Sequence, residues 1–323
     1  MMSPWPSIVR RASAVLSMLM LASASGYAAE LTIAMPNWPS GQATANILKV
    51  SLKKEFGIDA DAVEMGTLIA FNGLNSGEVD IHPEVWLPNL DNLVKKYVDQ
   101  AGTAAVSPIG GKAWQGICAT RAAADKVGVK DIADLSDPEK TAAFDTDGDG
   151  MGELWIGAPT WSSTTIERIR ANSYGYAKTM ALLTMPEDVG MAAVDAAVAT
   201  DRPMVFACYA PHVVFKLHDI VRLTEPPYDA AKWKVVLPTE DPGWLAKSSA
   251  PVAWDAAHFH IAYATKLRKD HPDVVKFLER VDFSTDEVTE MSYALQVERR
   301  DPYEFAEKWV ADHQARIDGW AKP

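Results

Sequence analysis

Between Asp145 and Arg168 the sequence sets three kinds of surface side by side: an acidic loop, a short apolar run and an indole ahead of a helix start. Asp145, Asp147 and Asp149, followed by Gly150, alternate as oxygen donors do around a hard cation such as calcium. Met151 and Glu153 continue that spacing as further ligand positions. Position twelve is Ile156 rather than a bidentate glutamate, so the loop departs from a complete EF-hand. A structural calcium is the one cofactor suggested, and the plain alternative is a solvated acidic turn. Leu154–Gly157 reads as a strand. Beyond Pro159, Thr164 and Glu167 have the spacing of a capping box, which marks a helix start. Helix starts carry unpaired backbone N–H groups, so Ser162 and Ser163 are placed to receive a carboxylate. Trp161, just before them, offers an aromatic face that attracts cations. One short segment can therefore hold both ends of a zwitterion.

The elements around this segment follow a strand–helix rhythm. Leu31–Met35 reads as a strand, followed by a turn through Trp38 and a helix running to Phe56 with Gly57 as its stop. Asp61–Met65, Leu68–Asn75 and Val79–Ile81 read as strand, helix and strand, the last leading to Trp86. This alternation predicts an α/β fold with a parallel sheet and right-handed crossovers. Ligands of such sheets bind beyond the carboxyl ends of strands, where Trp38 and Trp86 fall. A second unit starts near Trp114. It contains the acidic loop, the Trp155 strand, a helix from Ser163 to about Tyr174, a helix over 189–199 and a strand ending at Cys208-Tyr209. Ile220–Leu223 and Lys234–Leu237 are further strand candidates. Residues 248–264 read as strand and then helix, and 272–278, 284–295 and 302–320 as closing helices. Trp155, Trp254, Trp309 and Trp320, four of the eleven tryptophans, are expected to pack or link elements. Trp244, near the return between the two units, is expected to face the other candidate binding aromatics from the far side.

Residues 1–28 have the form of a secretory signal peptide: Arg10 and Arg11, an apolar run over 12–22, then small residues at Gly26 and Ala28. The expected mature chain is periplasmic and monomeric, with no inserted membrane segment. The formal net charge of −12 becomes more negative once those arginines are removed, which disfavours nucleic acid and anionic membranes as partners. Cys118 and Cys208 can form a disulfide after export or remain two buried thiols. No nucleophile elbow, phosphate-cradling glycine loop or His-Glu-x-x-His motif is present, so an enzyme is not expected. The rival class is a secreted hydrolase working through scattered carboxylates.

Four stretches in order give the chain a resemblance to the periplasmic glycine betaine/proline betaine-binding proteins of ABC importers. These are Ser76–Asp80 leading to Trp86-Leu-Pro-Asn89, the 144–150 loop running into Gly157-Ala-Pro-Thr-Trp161, Tyr209-Ala-Pro-His212, and the tail 312–320. The resemblance implies a type II periplasmic binding fold of two lobes, with 29–113 and 247–323 forming one and 114–246 the other. It also implies a methylated ammonium ligand caged between the lobes and passed to an inner-membrane ABC permease. Trp86 and Trp161 match the family's cage tryptophans, Trp38 a position used in some branches, and Tyr209 a place where relatives usually carry tryptophan. The backbone of Ser162 and Ser163 falls where the family binds the ligand's carboxylate. Choline and trimethylamine N-oxide are the alternative ligands, the latter because Glu84 or Glu153 could pair with a protonated amine oxide.

Overall fold

The computed structural model describes Met1 and residues 29–322; the signal peptide expected over 1–28 lies, apart from Met1, outside the described residues. Nine strands form one continuous sheet. They are β1 (Leu31–Met35), β2 (Ala60–Glu64), β3 (Ile81–Leu87), β4 (Ala104–Thr120), β5 (Gly152–Trp155), β6 (Met180–Leu183), β7 (Val205–Ala210), β8 (Ile220–Arg222) and β9 (Ala257–Ala264). The order is β2-β1-β3-β9-β4-β7-β5-β6, with β8 paired to β4. The wings are parallel: β1 pairs with β2 and β3, and β5 with β6 and β7. The middle is antiparallel, where β9 joins β3 to β4 and β4 joins β7. Strands covered on both faces are buried along their length, and β3 is so from Ile81 through Trp86, the polar His82 and Glu84 included.

β4 is the spine. Its residues Ala104–Ala113 pair with β9, and Trp114–Ala119 pair with β7. Pro108, Gly110 and Gly111 would end an ordinary strand, yet this one continues past a register shift. The two glycines are required by close approach: a Cβ on Gly110 would stand 2.3 Å from the His260 imidazole, and one on Gly111 2.0 Å from the Phe259 ring.

One core packs helices Pro39–Phe56, Pro272–Leu278, Thr285–Gln296, Pro302–Asp312 and Gln314–Ala321 against β1, β3 and β9, with Trp309 and Trp320 buried in it. A second core, centred on Phe144, Leu154, Ile156 and Tyr176, underlies the other wing. The expected order of elements in the first wing is present, and Gly57 and Gly77 stop their helices in the left-handed region (φ 74° and 83°). Several expectations change. Lys234–Leu237 is not a strand; Lys234 makes only a lone bridge to Ser249. Residues 257–264 are entirely strand, without the expected helical end, because both edges of β9 are taken by neighbours. The expected helix over 302–320 breaks at His313 into two. Cys118 and Cys208, on adjacent strands with Cα atoms 5.8 Å apart, form a disulfide. Among the described residues no helix is long and apolar enough to cross a membrane.

Candidate functional site

The structure brings four aromatic rings from four distant segments to one hollow. Trp38 follows β1, Trp86 lies near the end of β3, Trp161 follows β5, and Tyr209 lies near the end of β7. Each sits toward the carboxyl end of a parallel-wing strand, where the chain leaves the sheet and a side chain can face a crevice. Neighbouring rings stand nearly at right angles. Trp38 and Trp161 are 6.4 Å apart at 87°, Trp161 and Tyr209 5.8 Å at 82°, and Tyr209 and Trp86 5.3 Å at 81°. They form the walls of a box with a cavity volume of about 50 Å³. Phe259, held over Gly111, packs behind Trp86 at 5.6 Å.

Ser162 and Ser163 line the same hollow. The helix Ser162–Tyr174 begins at Ser162, and its first N–H groups receive no side-chain cap. The capping box expected from Thr164 and Glu167 does not form. The Thr164 hydroxyl donates to Ala158 O at 2.7 Å, while Glu167 accepts from Trp254 Nε1 at 2.6 Å and pairs with Arg170. Tertiary partners take both residues, which leaves the helix start open to an anion.

Glu84 forms the floor. It is 1 % exposed and accepts from four neutral donors: Trp38 Nε1 (2.6 Å), Trp86 Nε1 (3.3 Å), the Ser40 hydroxyl (3.1 Å) and the Thr44 hydroxyl (3.2 Å). Burial raises its pKa above the usual glutamate value, and the four hydrogen bonds oppose that shift without cancelling it. Beside it, burial lowers the pKa of His82 to about 3, so this imidazole is neutral; its Nδ1 accepts from the Glu84 N–H. Glu84 thus anchors two of the indoles that line the hollow and presents a carboxyl group to it. The other acid considered, Glu153, lies away from the box, where it accepts from Thr146 N–H.

The site also contains residues the sequence reading did not single out for ligand contact. Asn89 and Gln115 exchange reciprocal amide hydrogen bonds of 2.8 and 2.6 Å across the hollow's wall. Asn89 stands in the quoted Trp86-Leu-Pro-Asn stretch, which was a usable signal; Gln115 had none. Trp161 Nε1 donates to Asn37 Oδ1 (3.3 Å), which ties the two sides of the box. Trp244 is a correction: it does not line the hollow. It opens the short helix Trp244–Lys247, its N–H bonded to Asp241 O, and the bridge between Ser249 and Lys234 turns this segment back on itself.

In the acidic loop, oxygens of Asp145, Asp147 and Asp149 gather within 4.8 Å of one another. Asp145 accepts from the N–H groups of Gly148 and Gly150, and Asp149 from that of Met151. One Glu153 oxygen accepts from Thr146 N–H, while the other is buried without a partner among the described residues. An all-oxygen donor set of this kind suits calcium.

Comparison with known proteins follows the same lines. The family of the substrate binding domain of ABC-type glycine betaine transport system matches residues 29–312. Among curated proteins none matches. Among solved structures, an ABC-transporter choline binding protein in complex with choline aligns with a TM-score of 0.70 at 16 % identity, covering 90 % of this chain and 90 % of that one. Lactococcal OpuAC, closed and complexed with glycine betaine, gives 0.67 at 20 %, covering 90 % and 99 %. The glycine betaine/L-proline-binding protein ProX from Borrelia burgdorferi gives 0.69 at 19 %, covering 90 % and 96 %. At such identities the likeness is one of fold, the type II periplasmic binding fold.

Proposed function

Because this chain belongs to the family of substrate-binding domains of ABC-type glycine betaine transport systems, we propose that the box of Trp38, Trp86, Trp161 and Tyr209 holds the methylated ammonium head of its ligand. The perpendicular walls carry this reading. A methylated ammonium donates no strong hydrogen bond, so aromatic faces are its natural receptor. Each desolvated face contributes about 0.5–2 kcal/mol. Four faces supply about 2–8 kcal/mol, and micromolar binding needs about 8. The uncapped N–H groups at Ser162 and Ser163 support a carboxylate tail, as in glycine betaine or proline betaine.

On this reading, residues 29–113 with 247–323 form one lobe and 114–246 the other. The ligand favours the closed arrangement because only there do Trp38 and Trp86 meet Trp161 and Tyr209. The exported, monomeric protein hands its ligand to an inner-membrane permease. The Asp145–Glu153 loop takes calcium as a brace, since β5 leads directly from it toward Trp161.

One observation favours a second reading. Glu84 on the floor of the box suits a ligand that brings a proton or a net positive charge, such as protonated trimethylamine N-oxide or choline, over a zwitterion. Titration calorimetry with glycine betaine, proline betaine, choline and trimethylamine N-oxide separates the two. Recovery of unchanged ligand separates a receptor from a hydrolase. Trp161→Ala is expected to weaken binding at least about tenfold, within the range of one lost face; unchanged affinity would remove Trp161 from the site.

A further inference from the structure

Tyr209 is the one phenol among three indoles, and its hydroxyl is not free. It donates to Glu187 Oε1 at 2.5 Å. Glu187 is 3 % exposed, on the first turn of helix Glu187–Ala199, where the helix dipole favours an anion. His212, also 3 % exposed, places Nε2 3.0 Å from the same oxygen. Its Nδ1 accepts from Val214 N–H at 3.0 Å, which puts the imidazole proton on Nε2 and makes it a donor to Glu187. The imidazole also packs edge-on against the Tyr209 ring at 4.9 Å. The second Glu187 oxygen is buried without a partner among the described residues. Both donors, Tyr209 and His212, therefore converge on one oxygen of this carboxyl group.

We propose that Glu187 makes Tyr209 a cation-selective wall, acting as a positioning residue that polarises the phenol from behind. This rests on the methylated-ammonium reading of the box. A hydroxyl that donates to an anion pushes electron density into its ring, and so strengthens the negative face that a cation meets. The same bond pins the far end of the ring, keeping it perpendicular to Trp86 and Trp161. Burial and the neighbouring carboxylate hold the Tyr209 pKa well above its ordinary value, so the phenol keeps the proton it shares with Glu187. Phenol and carboxylate together do the work that a fourth indole would do alone. The selectivity concerns charge rather than shape, because a tert-butyl group fills the same space as a trimethylammonium group.

The test is calorimetric titration of unaltered protein, Glu187→Gln, Tyr209→Phe and the double variant. Two ligand pairs are used: glycine betaine with 3,3-dimethylbutanoate, and choline with 3,3-dimethylbutan-1-ol. Glutamine keeps an oxygen for Tyr209 and removes the charge. Glu187→Gln is expected to weaken the trimethylammonium member of whichever pair binds by about fivefold, within the range of one cation–π face. It should not weaken the tert-butyl isostere, whose head is uncharged, by more than about twofold, and in the Tyr209→Phe background the extra loss should fall below about twofold, because the phenol link is already gone. An equal loss for the trimethylammonium and tert-butyl ligands would reduce Glu187 to packing and overturn the proposal. So would a full loss retained in the Phe background. If unaltered protein binds none of glycine betaine, proline betaine, choline and trimethylamine N-oxide, the cage reading itself fails and takes this inference with it.

Discussion

Two fully buried acids keep opposite company. Glu167, inside helix Ser162–Tyr174, meets Arg170, which also pairs with Glu225 and donates to Val252 O; Trp254 Nε1 donates to Glu167. Burial pushes the Glu167 pKa up, but Arg170 pulls against it. Glu84, at the floor of the aromatic box, has two indoles and two hydroxyls and forms no ion pair among the described residues. A structural acid brings its counter-charge within the chain, and the cluster is then closed to anything else. An acid ringed by neutral donors and aromatic faces is the arrangement expected where the positive charge arrives with a ligand.

The largest expected effect falls on the closed cluster. Arg170→Met leaves Glu167 and Glu225 buried without their counter-charge and should cost about 3–5 kcal/mol, read from the midpoint of urea unfolding. A cost below about 1 kcal/mol would erase the contrast. Next is Glu84→Gln, which keeps an acceptor for the indoles. Its stability should stay within about 1 kcal/mol of the unaltered protein, while affinity for choline drops about tenfold, or about 1.4 kcal/mol.

The same acid sets a pH dependence with two signs. Its folded pKa lies above the usual value, so it favours folding while protonated, and that contribution is lost as pH rises through the folded pKa. Binding of a permanently charged ligand runs the other way: affinity should fall as pH drops through the raised folded pKa and Glu84 takes up a proton. Calorimetry at several pH values should show this slope in the unaltered protein and none from this group in Glu84→Gln. The smallest effect is expected at the acidic loop. Asp147→Ala should lower the thermal midpoint by a few degrees, equivalent to about 1 kcal/mol, only when calcium is present, and leave calorimetric affinity unchanged.

Much of this site is legible because the rings that line the hollow fall at strand ends, and strand ends show in the hydrophobic rhythm. That rhythm alone puts Trp38, Trp86 and Tyr209 at such ends. What the rhythm missed depends on tertiary partners. The first half of β4 contains Pro108, Gly110 and Gly111, residue types that weaken any strand signal, yet the glycines make room for His260 and Phe259. β6 is a four-residue run, Met180–Leu183, too short to tell from helix by periodicity. Thr164 and Glu167 carry a local helix-start signal that Ala158, Arg170 and Trp254 override. Glu187 and Gln115 gave no signal at all, because their roles come from Tyr209 and Asn89, neighbours only in three dimensions.

Ala113 pairs with Ala257 and Trp114 with Ala210, so adjacent residues of β4 answer to different ladders. On the two-lobe reading this is where the strand would act as a torsion bar. A few degrees of twist at one peptide unit would leave the hydrogen bonds on either side intact, yet swing the outer rims through a long arc, and Gln115, one residue past that point, would turn with them.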